Sequence, residues 1–210
     1  MQTIPPKRGR GRPPLDKARQ ENTRDLLIRA GVAAYTENSF SATGIEGVVR
    51  LAGVPKGSFY YYFDSKELFG LAVLDYYASY FASKLSKTLM DNALPPLERI
   101  QAFGESCCLS MARYDFKRGC IVGNLAQEVG MLSDPFRARL SGIFSDWQRM
   151  MQICLEEAKQ QQAIRPQSDC QLLAEFFWTG WEGAVMRARL QANGAPLRLF
   201  ITHFLAGLAC

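Results

Sequence analysis

The chain has 210 residues, 48% of them hydrophobic and 21% charged, with a formal net charge of +5. That balance excludes a disordered or fibrous chain and gives enough apolar residues for one or two cores. No apolar run approaches the ~18 residues that a membrane span needs, and no apolar stretch follows the charged start, so a cytoplasmic protein is expected. Six cysteines and one histidine are present. They show no C-x-x-C pair and no four-ligand metal spacing, so no metal and no cofactor is expected. No phosphate-binding glycine loop and no nucleophile-elbow string occurs, and the single histidine speaks against histidine-dependent catalysis.

The charge is unevenly placed. Residues 1–24 carry seven cations against two acids, which equals the net charge of the whole molecule. Within them, Lys7 to Pro14 alternates Arg8, Arg10 and Arg12 with glycine and ends in two prolines. Such a segment cannot form a helix and has little to bury. It is thin enough to lie in the minor groove of DNA, where the negative potential is enhanced. The same run also suits a solvated tail.

From Asn22 the pattern is helical. Leu26, Leu27, Ala30, Val32, Ala33 and Ala34 recur near the 3.6 period, predicting a helix over about 20–38. Thr43 can cap a short helix bearing Ile45, Val48 and Val49. Gly53 suits a left-handed turn, and Pro55 suits the entry to a very short helix over 56–62. Ser65 then caps a long helix to about 92. Two short helices joined by a turn with glycine form a helix-turn-helix unit.

In the second short helix Phe59, Tyr62 and Phe63 share one face and can anchor it. Lys56, Gly57, Ser58, Tyr60 and Tyr61 remain for the open side. The small residues permit close approach to a major groove. The lysine and the tyrosine hydroxyls can reach phosphates or base edges. Thr43 stands at a helix start that can meet a phosphate, and Lys66 adds a cation beyond the probe helix.

These residues resemble the TetR family of bacterial transcriptional regulators. The resemblance runs over about 22–69 and rests on Phe40, Thr43, Ile45, Ala52-Gly53-Val54, Lys56-Gly57-Ser58, Phe59, Tyr60, Tyr62-Phe63 and Ser65-Lys66-Glu67. Pro55 stands where many relatives look to have serine. The stretches at 118–130 and 177–190 are similar to the acrylate-responsive and N-ethylmaleimide-responsive repressors. The resemblance implies an all-α homodimer that binds double-stranded operator DNA. It further implies release by a small-molecule effector, acrylate-like or electrophilic, and no enzymatic role.

Beyond residue 93, helices are expected near 95–113, 121–130, 134–163, 168–192 and 196–208, with no strand pattern. The expected organisation is a flexible basic arm (1–18), a helix-turn-helix domain (19–68) and an effector-binding and dimerisation bundle (69–210). Cys120 opens a predicted helix after Lys117 and Arg118, a setting that favours thiolate and thus reaction with electrophiles or oxidants. A buried, inert cysteine fits the same position. Of the other cysteines, one of Cys107 and Cys108 is expected in the core together with Cys154, and Cys170 and Cys210 at the periphery.

Asn124, Gln127, Trp178, Trp181, Glu182 and Arg187 are further effector-binding candidates, with Trp178 and Glu182 on one helix face. Gly180, Gly183 and Ala184 form a flat strip that suits either a dimer interface or packing within the chain. Two alternatives to a repressor remain at this level. One is a thiol-based redox or electrophile-handling protein; the other is a nonspecific DNA-binding protein.

Overall fold

The computed structural model describes residues 17–208, and every regular element among them is a helix. Arg8, Arg10, Arg12 and Cys210 lie outside the described residues. The elements are α1 (Lys17–Glu37), α2 (Ile45–Ala52), α3 (Lys56–Tyr62), α4 (Lys66–Leu89), α5 (Pro96–Ala112), α6 (Ile121–Gln127), a 3-10 turn (Val129–Met131), α7 (Asp134–Gln160), α8 (Cys170–Gln191) and α9 (Ala195–Leu208). Among the described residues no helix is long and apolar enough to cross a membrane.

Local chemistry sets these boundaries. Gly53 closes α2 with φ +67°, and the N–H of Val54 reaches back to the carbonyl of Val49. A glycine takes that left-handed conformation without steric cost. Ser65 accepts the N–H of Leu68 and starts α4. Helix α4 stops at Leu89, short of the expected 92, and the carboxylate of Asp91 accepts the N–H of Ala93 in the following turn. Helix α7 stops at Gln160 rather than 163, because Gln162 turns left-handed and the N–H of Ala163 returns to the carbonyl of Ala158. Helix α6 is also shorter than expected, and the 3-10 turn takes up most of the remainder.

Helix α1 packs on α2, α3 and α4, with Phe59 of α3 meeting Phe69 of α4, and α5, α6 and α7 pack on α4 while α8 and α9 complete the bundle. An aromatic spine fills that bundle. Trp147 of α7, Trp178 and Trp181 of α8, Phe103 of α5 and Phe81 of α4 are all buried and in ring contact. Each such ring removes a large apolar area from water. The buried Arg99 of α5 donates to both carboxylate oxygens of Glu157 on α7, at 2.7 and 3.1 Å. Gly180 of α8 lies so close to the ring of Phe200 on α9 that a Cβ there would overlap it. That part of the small-residue strip therefore packs within the chain. Cys107 and Cys108 are both buried, and Cys170 is buried as well rather than peripheral.

Candidate DNA interface and effector chamber

Helix α3 is braced from behind. Phe59 is 0% exposed and meets Phe63 and Phe69 edge-on or tilted, with ring centroids 5.6 and 5.1 Å away. Phe63 caps the helix and packs on Phe69 at 5.0 Å, with the Arg24 guanidinium 5.5 Å from its ring. Tyr62 is only half-buried, so the anchoring face is narrower than the i, i+3, i+4 pattern predicts. Tyr60 and Tyr61 point outward, Tyr61 being 66% exposed. Around Gly57 a Cβ would meet nothing within 4 Å. Ser58 is half-buried, and its N–H donates to the carbonyl of Pro55.

Three predicted contact residues have intramolecular partners. The Lys56 ammonium donates to Glu46 of α2 at 2.7 Å, and this exposed pair raises the lysine's pKa through that hydrogen bond. Lys66 lies over the Phe40 ring at 4.5 Å and donates to the carbonyl of Ser41, and partial burial lowers its pKa. Thr43 does not cap α2. Gly44 occupies that position with no side-chain cap, and the Thr43 hydroxyl donates instead to the carbonyl of Ser39 at 2.8 Å. The residue is buried because this bond folds it into the α1–α2 loop.

The second feature is a chamber of about 360 Å³ between α1, α4, α5, α8 and the start of α6. Cys120 and Glu182 line it together with Tyr77, Tyr80, Lys84 and Trp181. Cys120 is the N-cap of α6, and its sulfur accepts the N–H of Gly123 at 3.5 Å. That part of the expectation agrees with the structure. The expected thiolate does not. Burial, followed by the negative charge of Glu182, pushes the Cys120 thiol well above the ordinary range. The neighbouring cations are engaged elsewhere. Arg118 pairs with Glu37 at 2.8 Å and covers the Tyr114 ring, and Lys117 pairs with Asp115. The helix terminus does not outweigh loss of solvent around the thiol and the acid beside it.

The other predicted effector residues lie apart from this chamber. Asn124 donates to the carbonyls of Tyr35 and Thr36 and accepts from Arg189, so its amide fastens α6 to α1. Trp178 and the exposed Gln127 line a separate groove of about 680 Å³, reached by Glu182 from its other side. Arg187 is exposed and lines neither space. Sequence reasoning missed the α4 wall. Tyr76, Tyr77 and Tyr80 recur at i, i+1 and i+4, and that cluster beside Lys84 was the available signal.

Helix α6 bridges the chamber and the N-terminal helices. The N–H of Gly119 donates to the carbonyl of Thr36 at 2.9 Å. The carboxylate of Glu128, at the far end of α6, accepts the N–H groups of Phe40 and Ser41 at 2.8 and 2.9 Å. Arg189 of α8 donates to the carbonyl of Glu37. The chamber wall and the base of the helix-turn-helix are therefore bonded to one another.

A braced helix-turn-helix carried on an all-helical bundle with an internal chamber defines a ligand-responsive DNA-binding regulator. Comparison with known proteins agrees. Residues 27–72 match the bacterial regulatory proteins of the tetR family, and residues 96–204 match the Tetracyclin repressor-like C-terminal domain. The chain is 43% identical to the transcriptional regulator AcuR of Cereibacter sphaeroides over 201 residues, covering 95% of this chain and 90% of that protein. It is 34% identical to the repressor DhaR of a Mycobacterium species, covering 85% and 88% respectively. Among solved structures, a regulatory protein TetR from Rhodobacter sphaeroides superposes with a TM-score of 0.86 at 43% identity, covering 88% of this chain and 97% of that one. The reduced form of Escherichia coli NemR superposes at 0.78 with 25% identity, covering 90% and 97%. The chain belongs to the TetR family of bacterial transcriptional regulators.

Proposed function

We propose that this regulator is a homodimeric repressor that releases its operator when a small molecule or electrophile occupies the chamber at Cys120. The observation that carries this is the shape of α3, with its phenylalanines locked inward and Tyr60 and Tyr61 presented outward. Tyr60, Tyr61, Lys56, Gly57 and Ser58 approach the major groove. Lys56 exchanges its exposed bond to Glu46 for a phosphate or base edge, an exchange that costs little because exposed pairs are worth ~0–1 kcal/mol. Lys66 and the loop holding Thr43 approach the backbone. Arg8, Arg10 and Arg12 of the arm reach a minor groove.

Apolar side chains stand exposed on the last two helices, among them Leu172, Phe176, Met186 and Leu190 on α8 and Leu199 on α9. Pairing such a surface with its own copy forms an isologous dimer and sets two α3 helices for half-sites about one turn of DNA, ~34 Å, apart. An occupant of the chamber displaces Cys120 and with it the start of α6. Through Thr36, Phe40 and Ser41 that movement reaches the helix-turn-helix and changes the spacing of the two probe helices. Acrylate-like compounds and neutral electrophiles are the proposed effectors.

The test is a gel shift on the promoter next to the gene, with sedimentation to give the dimer. Retarded DNA that acrylate or an electrophile sets free supports the proposal. Retarded DNA that no such compound releases refutes the effector while leaving DNA binding intact.

A further inference from the structure

Glu182 is placed where an acid is costly. Its carboxyl lies inside the bundle, facing the chamber, and its Oε1 is buried with no hydrogen-bond partner. Its Oε2 lies against Gly123, where a Cβ would overlap it, so any side chain there would push the carboxyl aside. Buried unpaired carboxyl oxygens are avoided unless something uses them. The reactive group beside it is the Cys120 thiol: its sulfur accepts the N–H of Gly123 at 3.5 Å, the same glycine that Glu182 Oε2 lies against, and Tyr77 lines the chamber with both.

The groups facing this cluster come from every surrounding element. Helix α1 contributes Arg29, α4 contributes Tyr77 and Lys84, α5 contributes Cys107, and Arg118 precedes Cys120. Lys84 donates to the carbonyl of Ser106 and the hydroxyl of Ser110, and Arg118 pairs with Glu37. Glu182 is thus the acceptor within reach of the thiol proton, and it has a free oxygen.

We propose that Glu182 takes the Cys120 proton as the sulfur adds to a neutral α,β-unsaturated carbonyl compound, and then returns that proton to the adduct. The step balances. The sulfur forms a bond to the β-carbon and the carbon–carbon π bond breaks. The S–H proton moves to the Glu182 carboxylate, the electron pair passes to the carbonyl as an enolate, and Glu182 or the Tyr77 hydroxyl protonates the α-carbon. A Tyr77 proton is replaced from Glu182, so no net proton is consumed. The reacting compound is taken as neutral because Glu182, which must be ionised to accept the proton, stands beside Cys120 itself, while Arg29, Lys84 and Arg118 on the other walls leave anionic acrylate-like compounds to bind without this step. This rests on the chamber being the effector site.

Two roles for Glu182 predict opposite results, which makes the proposal testable. An acid that merely holds the thiol protonated suppresses reaction, so E182Q would react faster. An acid that accepts the proton promotes reaction, so E182Q would react more slowly. The experiment follows Cys120 alkylation by methyl vinyl ketone, using peptide-resolved mass spectrometry of the full chain from pH 5 to 9. Operator release is read on the same samples.

Expected in the wild type is a rate that rises with its midpoint near pH 7, the value to which burial raises Glu182, and levels off above it before any rise from the thiol itself. Expected in E182Q is loss of that plateau and a rate at pH 7.5 lower on the order of a hundredfold. Expected in Tyr77→Phe is a smaller loss with the plateau retained. An E182Q rate equal to or above wild type overturns the proposal, as does a wild-type rate without the plateau or a Cys120 that never reacts. The wild-type profile decides the matter even where E182Q folds poorly. Alkylation with the plateau but no operator release supports the proton transfer and refutes the sensing function instead.

Discussion

Replacing Glu128 with alanine should uncouple the chamber from the DNA-binding helices. Glu128 ends α6, and its carboxylate accepts two backbone N–H groups in the α1–α2 loop, from Phe40 at 2.8 Å and Ser41 at 2.9 Å. Hydrogen bonds to a charged acceptor contribute ~1.5–3 kcal/mol each where water is excluded. The Ser41 bond is exposed and the Phe40 bond only partly buried, so screening reduces the pair to roughly 1–2 kcal/mol in all. Four other links survive in the variant, from Gly119 to Thr36, from Asn124 to Tyr35 and Thr36, and from Arg118 and Arg189 to Glu37. The variant should therefore fold and bind operator. What it should lose is coupling, and ~1.4 kcal/mol is a factor of ten. The assay is fluorescence anisotropy with labelled operator, with and without a saturating compound that releases the wild type. The ratio of the two Kd values should shrink about tenfold in Glu128→Ala. Glu128→Gln, which keeps one acceptor oxygen, should fall between. A ratio within twofold of wild type in Glu128→Ala would refute the route through α6.

Phe59→Ala removes a fully buried ring that touches Phe63 and Phe69, and should cost ~3–5 kcal/mol by chemical denaturation. Tyr61→Phe, at an exposed position, should shift stability by less than ~0.5 kcal/mol while weakening operator binding about two- to tenfold. Gly180→Val should force α8 from Phe200 and cost ~1–3 kcal/mol by the same assay. Glu182 links stability to pH. Burial raises its pKa from 4.5 to about 7, so the folded protein holds this proton more tightly than the unfolded chain. Its contribution is complete below the unfolded value and is lost as pH rises through the folded one. Between pH 4.5 and 8 the wild type should lose on the order of 2 kcal/mol relative to Glu182→Gln, and parallel curves for the two proteins would contradict the burial.

The parts of this molecule set by short-range chemistry were legible in the sequence. Gly53 needs no neighbours to turn the chain left-handed, and the alternation of inward and outward rings on α3 follows from helical spacing. The all-helical architecture was likewise readable from periodicity and from the breaks at proline and glycine. The chamber was only half legible. Cys120 and Glu182 were named as candidates and do share it. Asn124 and Trp178 lie on the same two helices but face other spaces, because two short helical offsets cannot tell which neighbour each face meets. Which of the two readings of Cys120 holds, thiolate or buried thiol, was not legible for the same reason. Its local sequence offers cations and a helix start, whereas the surroundings that decide the matter come from α4 and α8, far along the chain. Thr43 shows the limit at a single residue. A threonine one position too early finds a carbonyl behind it and leaves the helix start to Gly44.

The central claim is that α3 presents Tyr60 and Tyr61 to the grooves of a specific DNA site. Footprinting of randomised duplexes selected by the purified protein tests this most directly, comparing wild type with a Tyr60→Ala, Tyr61→Ala double variant. The account predicts a protected site with two symmetric half-sites in the wild type, with that protection lost in a variant that still folds. Protection that survives in the double variant, or a selected pool with no shared sequence, would contradict it.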